Sequence, residues 1–463
     1  MEIWPRSGVS SRSMPYSTRS GGFERASGTG HSKIIESQTV REKLNEFEIR
    51  QPDPDEVPVA SHSVARDEIE SNAARQPIDT VVSVDGSPQE VAVDQEFPED
   101  RIAYLQLSAV RVELDTLAAE DSKQFVNPGL VEESTDSARY VVVLPSSNVT
   151  SESHGSTAES WRSEIDEVFR THEIEGRSLL SYFVDVLHRS DRLTETGEFV
   201  LNQCPDCGAG DQALDPSETG TCTECGETLY LTDSLRIYEK VNGQQSNIGA
   251  LMQLMAVMEH LILIGYLLHL HEHDPDQLGR TAFIHDGPLA IHQQPSWLHR
   301  PLKEVLMQVF DQRMEAGLDI PPVIGVEKNS KFVDHASRIG SRIERESLLY
   351  MDDDYIYDYV IPSRQSASGY GSRTYYGQRF IYRSSNGGLY VVTVPKIPGE
   401  DAAPHLPEAY PWLDRVLSTI EQAQTSLYEN ALLPVVIAHQ LAAMPAEMGS
   451  SVLRLFSQSE LDR

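Results

Sequence analysis

Two apolar segments, far apart in the chain, each end in the dipeptide Asp-Gly. The first is Asp79-Thr-Val-Val-Ser-Val-Asp-Gly-Ser87, which presents Asp85, and the second is Thr281-Ala-Phe-Ile-His-Asp-Gly-Pro-Leu-Ala290, which presents Asp286. Apolar and β-branched residues favour strands, and glycine or Gly-Pro favours the turn that ends a strand. If these strands are neighbours in one sheet, both carboxylates reach the same edge, where they could bind a hard divalent cation.

The acidic composition limits the kind of partner that the chain can bind. Its 463 residues are enough for two or three domains, and their formal net charge is -33. Such a charge argues against tight non-specific binding to nucleic acid, because the phosphates would be repelled. A nucleic-acid partner would have to be met in a locally basic groove or handed over by another subunit.

The longest apolar segment predicts a helix of the protein core rather than a membrane span. This segment, Ile248 to Leu270, is interrupted by Gln253, Glu259, His260 and His269, and it lacks the ~20 consecutive apolar residues that cross a bilayer. The first residues also lack the apolar core of a signal peptide. We therefore predict a cytoplasmic protein without a membrane partner, whose cysteines are metal ligands rather than disulfides.

The four cysteines form two CxxC motifs, each followed by glycine. They are Cys204-Pro-Asp-Cys207 and Cys222-Thr-Glu-Cys225. This spacing is typical of a tetrahedral four-thiolate zinc site, which is closed to substrate and water and therefore structural by default. A direct contact with nucleic acid or with a partner is the alternative. We predict a zinc ribbon over residues 200–232, inserted in a larger domain.

The remaining pattern predicts an α/β domain behind an irregular N-terminal arm. Residues 1–75 are rich in polar residues and proline, and we predict a disordered or loosely structured arm there. Residues 76–463 contain the two Asp-Gly strands, further strands over 101–114 and 140–144, and a long helix from Ser246 to His271.

Five further residues are candidates for function, each with a plainer interpretation. Glu259 lies in the long helix and is either a third acid of the metal site or a partly exposed carboxylate. Lys328 follows a strand and is either a phosphate contact or a surface lysine. Arg379 and Arg383 lie on one arm of a predicted hairpin. Because basic residues are scarce in so acidic a chain, these two arginines are candidates for phosphate contacts. His439 lies on an apolar helix, where a histidine is either catalytic or a buried core residue.

The order of these motifs resembles the NurA nuclease family. The order is Asp-Gly-Ser after a strand, a helix with a glutamate, Asp-Gly-Pro-Leu after a strand, a Gly-Val-x-Lys strand end and a C-terminal Ala-His helix. The resemblance runs from about Thr80 to the end of the chain and is interrupted by loops and the zinc ribbon. It implies a ribonuclease H-like core that cuts DNA with manganese or magnesium, forms homodimers and works with a hexameric HerA-type ATPase.

The resemblance also implies roles for individual residues. Asp85, Glu259 and Asp286 match the metal-binding acids of the family, and His439 matches its C-terminal active-site histidine. Glu239, in Arg236-Ile-Tyr-Glu239, is a rival to Glu259. Two ions ~4 Å apart could activate water and stabilise the leaving oxygen of a phosphodiester. DNA end processing and defence against foreign DNA are the pathways that the family suggests.

A second hypothesis needs no catalysis. Asp-Gly is a common turn pair, so the acids could simply form turns in a non-catalytic scaffold, whose zinc ribbon docks on an ATPase or on DNA. Binding of a divalent ion away from the ribbon distinguishes the nuclease from the scaffold.

Overall fold

A nine-stranded mixed sheet organises the chain from Pro52 onward. The computed structural model describes residues 30–47, 52–69, 76–93, 99–115, 136–362, 369–397, 403–425, 428, 430–444 and 448–461. The strands are β1 (Ser63–Ala65), β2 (Thr80–Ala92), β3 (Arg101–Glu113), β4 (Asp136–Pro145), β5 (Glu173–Ile174), β6 (Arg177–Ser178), β7 (Phe199–Gln203), β8 (Gly210–Leu214), β9 (Gly220–Thr221), β10 (Thr228–Leu229), β11 (Thr281–Asp286), β12 (Val323–Glu327), β13 (Ser347–Tyr350), β14 (Gly377–Arg383) and β15 (Leu389–Pro395).

Helices cover the sheet and connect its strands. They are α1 (Gly30–Glu36), α2 (Gln38–Asn45), α3 (Thr157–Thr171), α4 (Leu179–Arg189), α5 (Ile248–His273), α6 (Pro275–Arg280), α7 (His299–Glu315), α8 (Lys331–Ile339), α9 (Asp353–Tyr355), α10 (Leu413–Ala423), α11 (Leu433–Ala442) and α12 (Met448–Leu461). Short 3-10 turns join several of them.

The strand order of the large sheet is β1-β13-β14-β15-β12-β11-β2-β3-β4. Strands β2, β3 and β4 form an antiparallel meander, whereas β11 is parallel to both β2 and β12. A meander followed by two parallel strands is the arrangement of a ribonuclease H-like core. The predicted α/β fold class, with this core and a four-cysteine insertion, is therefore confirmed.

The two Asp-Gly strands end differently. Strand β11 stops at Asp286, as predicted, and Gly287 follows with a φ of 137°, in a region that favours glycine. The prediction that the first strand ends at Asp85 was wrong, because β2 continues to Ala92. Strand β3 pairs with β2 along its whole length and supplies hydrogen-bond partners beyond the glycine.

Helix α5 is the central helix of the core. Its buried residues lie on all sides of the helix, and it packs against β2, β3 and β11 as well as α4. By length and composition it could cross a membrane, but 78% of its most apolar stretch is buried inside the protein. Its all-round apolar character therefore reflects neighbours on every side.

The opposite face of the sheet is covered near β2 by α11, which contacts both β2 and β3. Residues of β2 and β11 therefore alternate between α5 on one face and α11 on the other. A second apolar cluster lies under α8, where Phe332 and Ile339 pack against Ile381 and Val391.

The N-terminal boundary differs from the prediction. Residues 52–69 belong to the larger compact unit, because β1 pairs with β13, and Val57 and Val59 are buried in the cluster under α8. The predicted arm therefore extends too far toward the C-terminus. Burial of two valines is enough to attach this segment to the larger unit, although the residues around them are mostly polar. Before Gln51, helices α1 and α2 form a separate unit, and residues 1–29, 48–51 and 70–75 lie outside the described residues.

Candidate active site and metal centres

Two aspartates and one histidine meet at the end of β11. Asp85, Asp286 and His439 each offer one ligand atom, and these atoms lie within 4.8 Å of one another. His439 Nδ1 lies 2.7 Å from Asp85 Oδ2, while the imidazole is 60% exposed. The three residues come from β2, β11 and α11, so the cluster joins segments that are distant in sequence.

The register of the sheet explains why the aspartates meet. Strands β2 and β11 are parallel and pair His285 with Val84, which sets Asp286 beside Asp85. Neighbouring residues in register point to the same face of a sheet. That face is the one covered by α11, where Ile437 and Ala438 are buried and hold His439 against Asp85.

The electrostatics of the cluster favour a cation. Burial raises the pKa of Asp85, and the charge of Asp286 raises it further, although the bond to His439 acts against both. Lys328 at the end of β12 places its Nζ 2.6 Å from Asp286 Oδ2. Two crowded carboxylates with an imidazole form a donor set that fits a divalent ion, and the ammonium of Lys328 is a positive charge at the same place.

Glu259 lies beside this cluster rather than within its ligand set. It is buried on α5, with its Oε2 3.3 Å from His285 Nε2. Burial raises its pKa, and the charges of Asp85 and Asp286 add to the effect, whereas His285 opposes it. The rival Glu239 pairs with Arg236 at 2.6 Å in a 3-10 turn.

Gly86 allows Glu259 to approach the backbone next to Asp85. A Cβ at position 86 would lie 2.7 Å from Met255 Cγ and 3.0 Å from Glu259 Oε1. The glycine after Asp85 therefore serves close packing of α5 on β2, and not a turn.

Two buried histidines beside the predicted acids were missed by the sequence analysis. The rings of His260 and His285 lie 4.2 Å apart, and His260 Nδ1 is 2.7 Å from the carbonyl oxygen of Ala256. Burial alone would lower the pKa of His285, but Glu259 outweighs it and raises that pKa. Burial and the charge of His285 hold the pKa of His260 well below its usual value. The signal that could have identified them is their position in the sequence, because His260 directly follows Glu259 and His285 directly precedes Asp286.

The predicted phosphate contacts Arg379 and Arg383 are not part of the cluster. Arg379 is buried and donates from Nε to Glu327 Oε1 at 2.5 Å. Arg383 donates to the carbonyl oxygens of Gly340 and Ile343 at 3.0 and 2.6 Å. Of the three predicted basic contacts, the structure places Lys328 at the aspartates, while the two arginines bind groups of the protein itself.

The four cysteines form a second centre. The Cys204–Cys225 and Cys207–Cys222 sulfur atoms are each 3.7 Å apart, close to the ~3.8 Å edge of a tetrahedron with Zn–S bonds of about 2.3 Å. Backbone N–H groups of Cys225 and Glu224 lower the pKa of the Cys222 thiol to about 7, whereas burial and the neighbouring thiols raise that of Cys225 to about 12.

Buried polar contacts attach the cysteine segment to the rest of the protein. Arg162 on α3 donates to Asp233 at 2.8 Å and to Glu227 at 2.8 Å. Trp297 donates from Nε1 to the carbonyl oxygen of Ser234 at 2.8 Å. The C-terminal end of the cysteine segment and the turn that follows β10 are thus attached to α3 and to Trp297.

Comparisons with known proteins give similarities in structure only. No protein-family model matches the chain, and no curated protein matches it. The chain is similar to the NurA nuclease from Sulfolobus solfataricus, with 9% identity over 93% of this chain and 96% of that one and a TM-score of 0.34.

Two further solved structures are similar at the same level. One is a crystal structure of NurA, with 11% identity over 92% of this chain and 95% of that one. The other is NurA with manganese, with 11% identity over 93% and 95%, and both have a TM-score of 0.25. These low identities and TM-scores describe only a distant likeness. The function proposed below is therefore argued from the geometry of the cluster.

Proposed function

We propose that this chain is a divalent-metal-dependent DNA nuclease of the NurA kind, which hydrolyses phosphodiester bonds at the Asp85–Asp286–His439 cluster. The observation that carries this proposal is the approach of three ligand atoms within 4.8 Å on one face of the sheet. A bare pair of carboxylates so close together repels itself, and a divalent cation offsets that repulsion. The order of the sequence motifs supports the same family.

Asp85 and Asp286 hold the cation in this proposal. A bound Mn²⁺ or Mg²⁺ supplies positive charge against the phosphate of the scissile bond. Lys328, whose Nζ lies 2.6 Å from Asp286 Oδ2, is placed where it could contact a neighbouring phosphate oxygen. Glu259, whose Oε2 lies 3.3 Å from His285 Nε2, lies on the α5 side of the sheet, behind the two aspartates.

His439 moves the proton. In the tautomer whose Nδ1 donates to Asp85, the Nε2 atom carries a lone pair on an exposed ring. This nitrogen can accept a proton from the attacking water, and in the protonated form it can give one to the leaving oxygen. Asp85 keeps the ring in place for either step.

The partners rest on the resemblance of motifs to the family. We propose that a homodimer acts with a HerA-type hexameric ATPase that delivers DNA, which suits a chain whose net charge of -33 repels free nucleic acid. End processing of DNA and defence against foreign DNA are the two pathways consistent with this activity. The four cysteines bind structural zinc.

The test is a cleavage assay on end-labelled linear DNA with Mn²⁺, with and without a HerA-type ATPase. Asp286→Asn should lower cleavage by at least about 100-fold, because it removes a charged ligand, and His439→Asn by about 10²–10⁴-fold. Asp311→Asn, an exposed residue on α7, is the matched control and should retain full activity.

Calorimetry with Mn²⁺ on zinc-loaded protein separates the two hypotheses. The nuclease should bind Mn²⁺ in the wild type and lose that binding in Asp286→Asn. Wild-type cleavage by Asp286→Asn would overturn the site, and a wild type that neither cuts DNA nor binds Mn²⁺ would support the non-catalytic scaffold.

A further inference from the structure

A basic cavity of about 420 Å³ lies between β14 and the start of α7. Four cationic side chains line it, namely Arg300, Lys303, Arg379 and Lys396. Its volume lies in the range of roughly 300–1,000 Å³ that small-molecule sites occupy. Four cationic side chains close together are unexpected in a chain with a net charge of -33. Because like charges repel one another, an anion in the cavity would stabilise them.

Arg379 is the most constrained of the four. Its side chain is only 4% exposed, and its guanidinium carbon lies 3.6 Å from the ring centroid of Phe332 and 4.7 Å from that of Tyr375. Nε donates to Glu327, but the buried Nη2 has no hydrogen-bond partner among the described residues. An unpartnered buried donor is costly, and this one belongs to a side chain that lines the cavity.

The two lysines lie close enough to repel each other. Burial lowers the pKa of Lys303 and the neighbouring charge of Lys396 lowers it further, while the charge of Glu304 acts against both. Neither lysine forms an ion pair with a described residue. The pKa of His299 falls through burial and through the charges of Arg300 and Lys303. The positive potential is therefore concentrated inside the cavity.

The acids at the cavity are already used by the backbone. Asp352 Oδ1 accepts from the N–H of Tyr355 at 2.8 Å, and Asp353 Oδ1 accepts from the N–H of Tyr370 at 3.0 Å. These carboxylates fix the local chain, and they are outnumbered by the four cations that line the same cavity.

We propose that this cavity binds one nucleotide unit, with its phosphate group held by Lys303, Arg379 and Lys396. Charge-assisted hydrogen bonds from guanidinium and ammonium groups recognise phosphate. Tyr370 and Tyr375, whose rings are 5.6 Å apart and partly buried, line the same cavity. The Arg379 guanidinium lies over both rings, and their remaining aromatic surface is where a base would pack. The occupant is a free mononucleotide or a nucleotide of a bound strand.

The strand source rests on the proposed nuclease function, whereas the free-nucleotide source does not. The turn that follows Asp286 runs to the cavity wall, because Ile291 donates to Thr374 at 2.9 Å and Tyr376 donates to Leu289 at 3.0 Å. A strand held in the cavity would therefore pass near the segment that presents Asp286.

The experiment is titration calorimetry of the full-length zinc-loaded protein without added Mn²⁺, at fixed ionic strength. The probes are inorganic phosphate, thymidine 5′-monophosphate and a 5′-phosphorylated six-residue oligothymidylate. Lys303→Gln and Lys396→Gln should each raise the Kd for the mononucleotide about tenfold or more, as expected for the loss of one charge-assisted hydrogen bond. Lys240→Gln, at an exposed lysine outside the cavity, should leave the Kd unchanged.

The source of the nucleotide follows from the third probe. Tighter binding of the oligothymidylate that also depends on Lys396 indicates a strand, and equal binding indicates a free nucleotide. Asp286→Asn should bind the mononucleotide as the wild type does, so loss of cleavage and loss of this site are read separately. Absence of binding, or equal weakening by Lys240→Gln, would overturn the proposal, provided that circular dichroism shows folded variants.

Discussion

Gly325 on β12 sets how closely the turn after Asp286 approaches the sheet. A Cβ at this position would lie 2.5 Å from the carbonyl oxygen of Gly287 and 2.9 Å from the amide nitrogen of Leu289. Both neighbours are backbone atoms, which cannot rotate away as a side chain can. The position of Asp286 therefore depends on a residue that contacts no substrate.

Gly325→Ala should destabilise the protein by about 1–3 kcal/mol, because the added methyl group overpacks the turn. It should also lower cleavage, since Asp286 shifts with its neighbouring backbone. Gly249→Ala on α5 is the control, because a Cβ there meets nothing within 4 Å and alanine is the better helix former by up to about 1 kcal/mol. Urea unfolding of both variants measures the difference, and equal stabilities would contradict this account.

Single residues also mark the limit of what the sequence can predict. Asp286 could be singled out because the end of its strand and the Gly-Pro turn that follows are local features, whereas Asp85 was singled out by a strand end that the structure does not have. The role of Gly86 could not be predicted, because it depends on the approach of Met255 and Glu259 from a distant helix. The pairing of Arg379 with Glu327 and its place in the wall of a cavity could not be predicted either, because both are tertiary properties.

At the scale of elements, the four-cysteine ribbon is attached by side chains rather than by the main sheet. Its strands pair only in two short ladders, β7 with β8 and β9 with β10. Arg162 on α3, bonded to Asp233 and Glu227, links it to the core. The metal is therefore expected to stabilise the ribbon itself and to contribute little to the nine-stranded sheet.

Removal of zinc with a zinc-selective chelator should expose the amides of residues 199–229 to hydrogen exchange while β2 and β11 stay protected. The thiolates repel one another once the metal that joins them is gone, and this segment is too small to fold through its own core. Hydrogen exchange followed by mass spectrometry measures both regions in one sample. Simultaneous loss of protection in β2 and β11 would show that the ribbon is part of one cooperative unit.

Elements with clear local patterns agreed best with the sequence analysis. The long helix predicted over Ser246 to His271 is α5, Ile248–His273, because its apolar residues have no competing interpretation. The strand with Asp85 was predicted too short, since pairing with β3 overrides the glycine. Local propensity is a weak guide where a neighbouring strand supplies the hydrogen bonds.

At the scale of the whole molecule, the chain divides near Pro52. The residues after this point supply β1 and the buried Val57 and Val59 to the larger unit. Composition alone placed the boundary near residue 75, because polar residues surround these few apolar ones.

Deletion of residues 1–51 should leave the thermal midpoint of the larger unit unchanged, whereas deletion of residues 1–69 should lower its stability by several kcal/mol. Each buried valine contributes about 2 kcal/mol, and loss of β1 also leaves the edge of β13 unpaired. Differential scanning calorimetry of both truncated proteins compares them with the full chain. A large shift caused by the shorter deletion would contradict the division.

The long sequence separation within the cluster has a consequence during synthesis. His439 follows Asp85 by 354 residues, so a ribosome must translate α11 before the three residues of the cluster can meet. A partly made or truncated chain that stops short of this helix lacks one of the three residues of the cluster. Under the proposed function, unfinished copies are therefore kept inactive by the path of the chain alone, without an inhibitor.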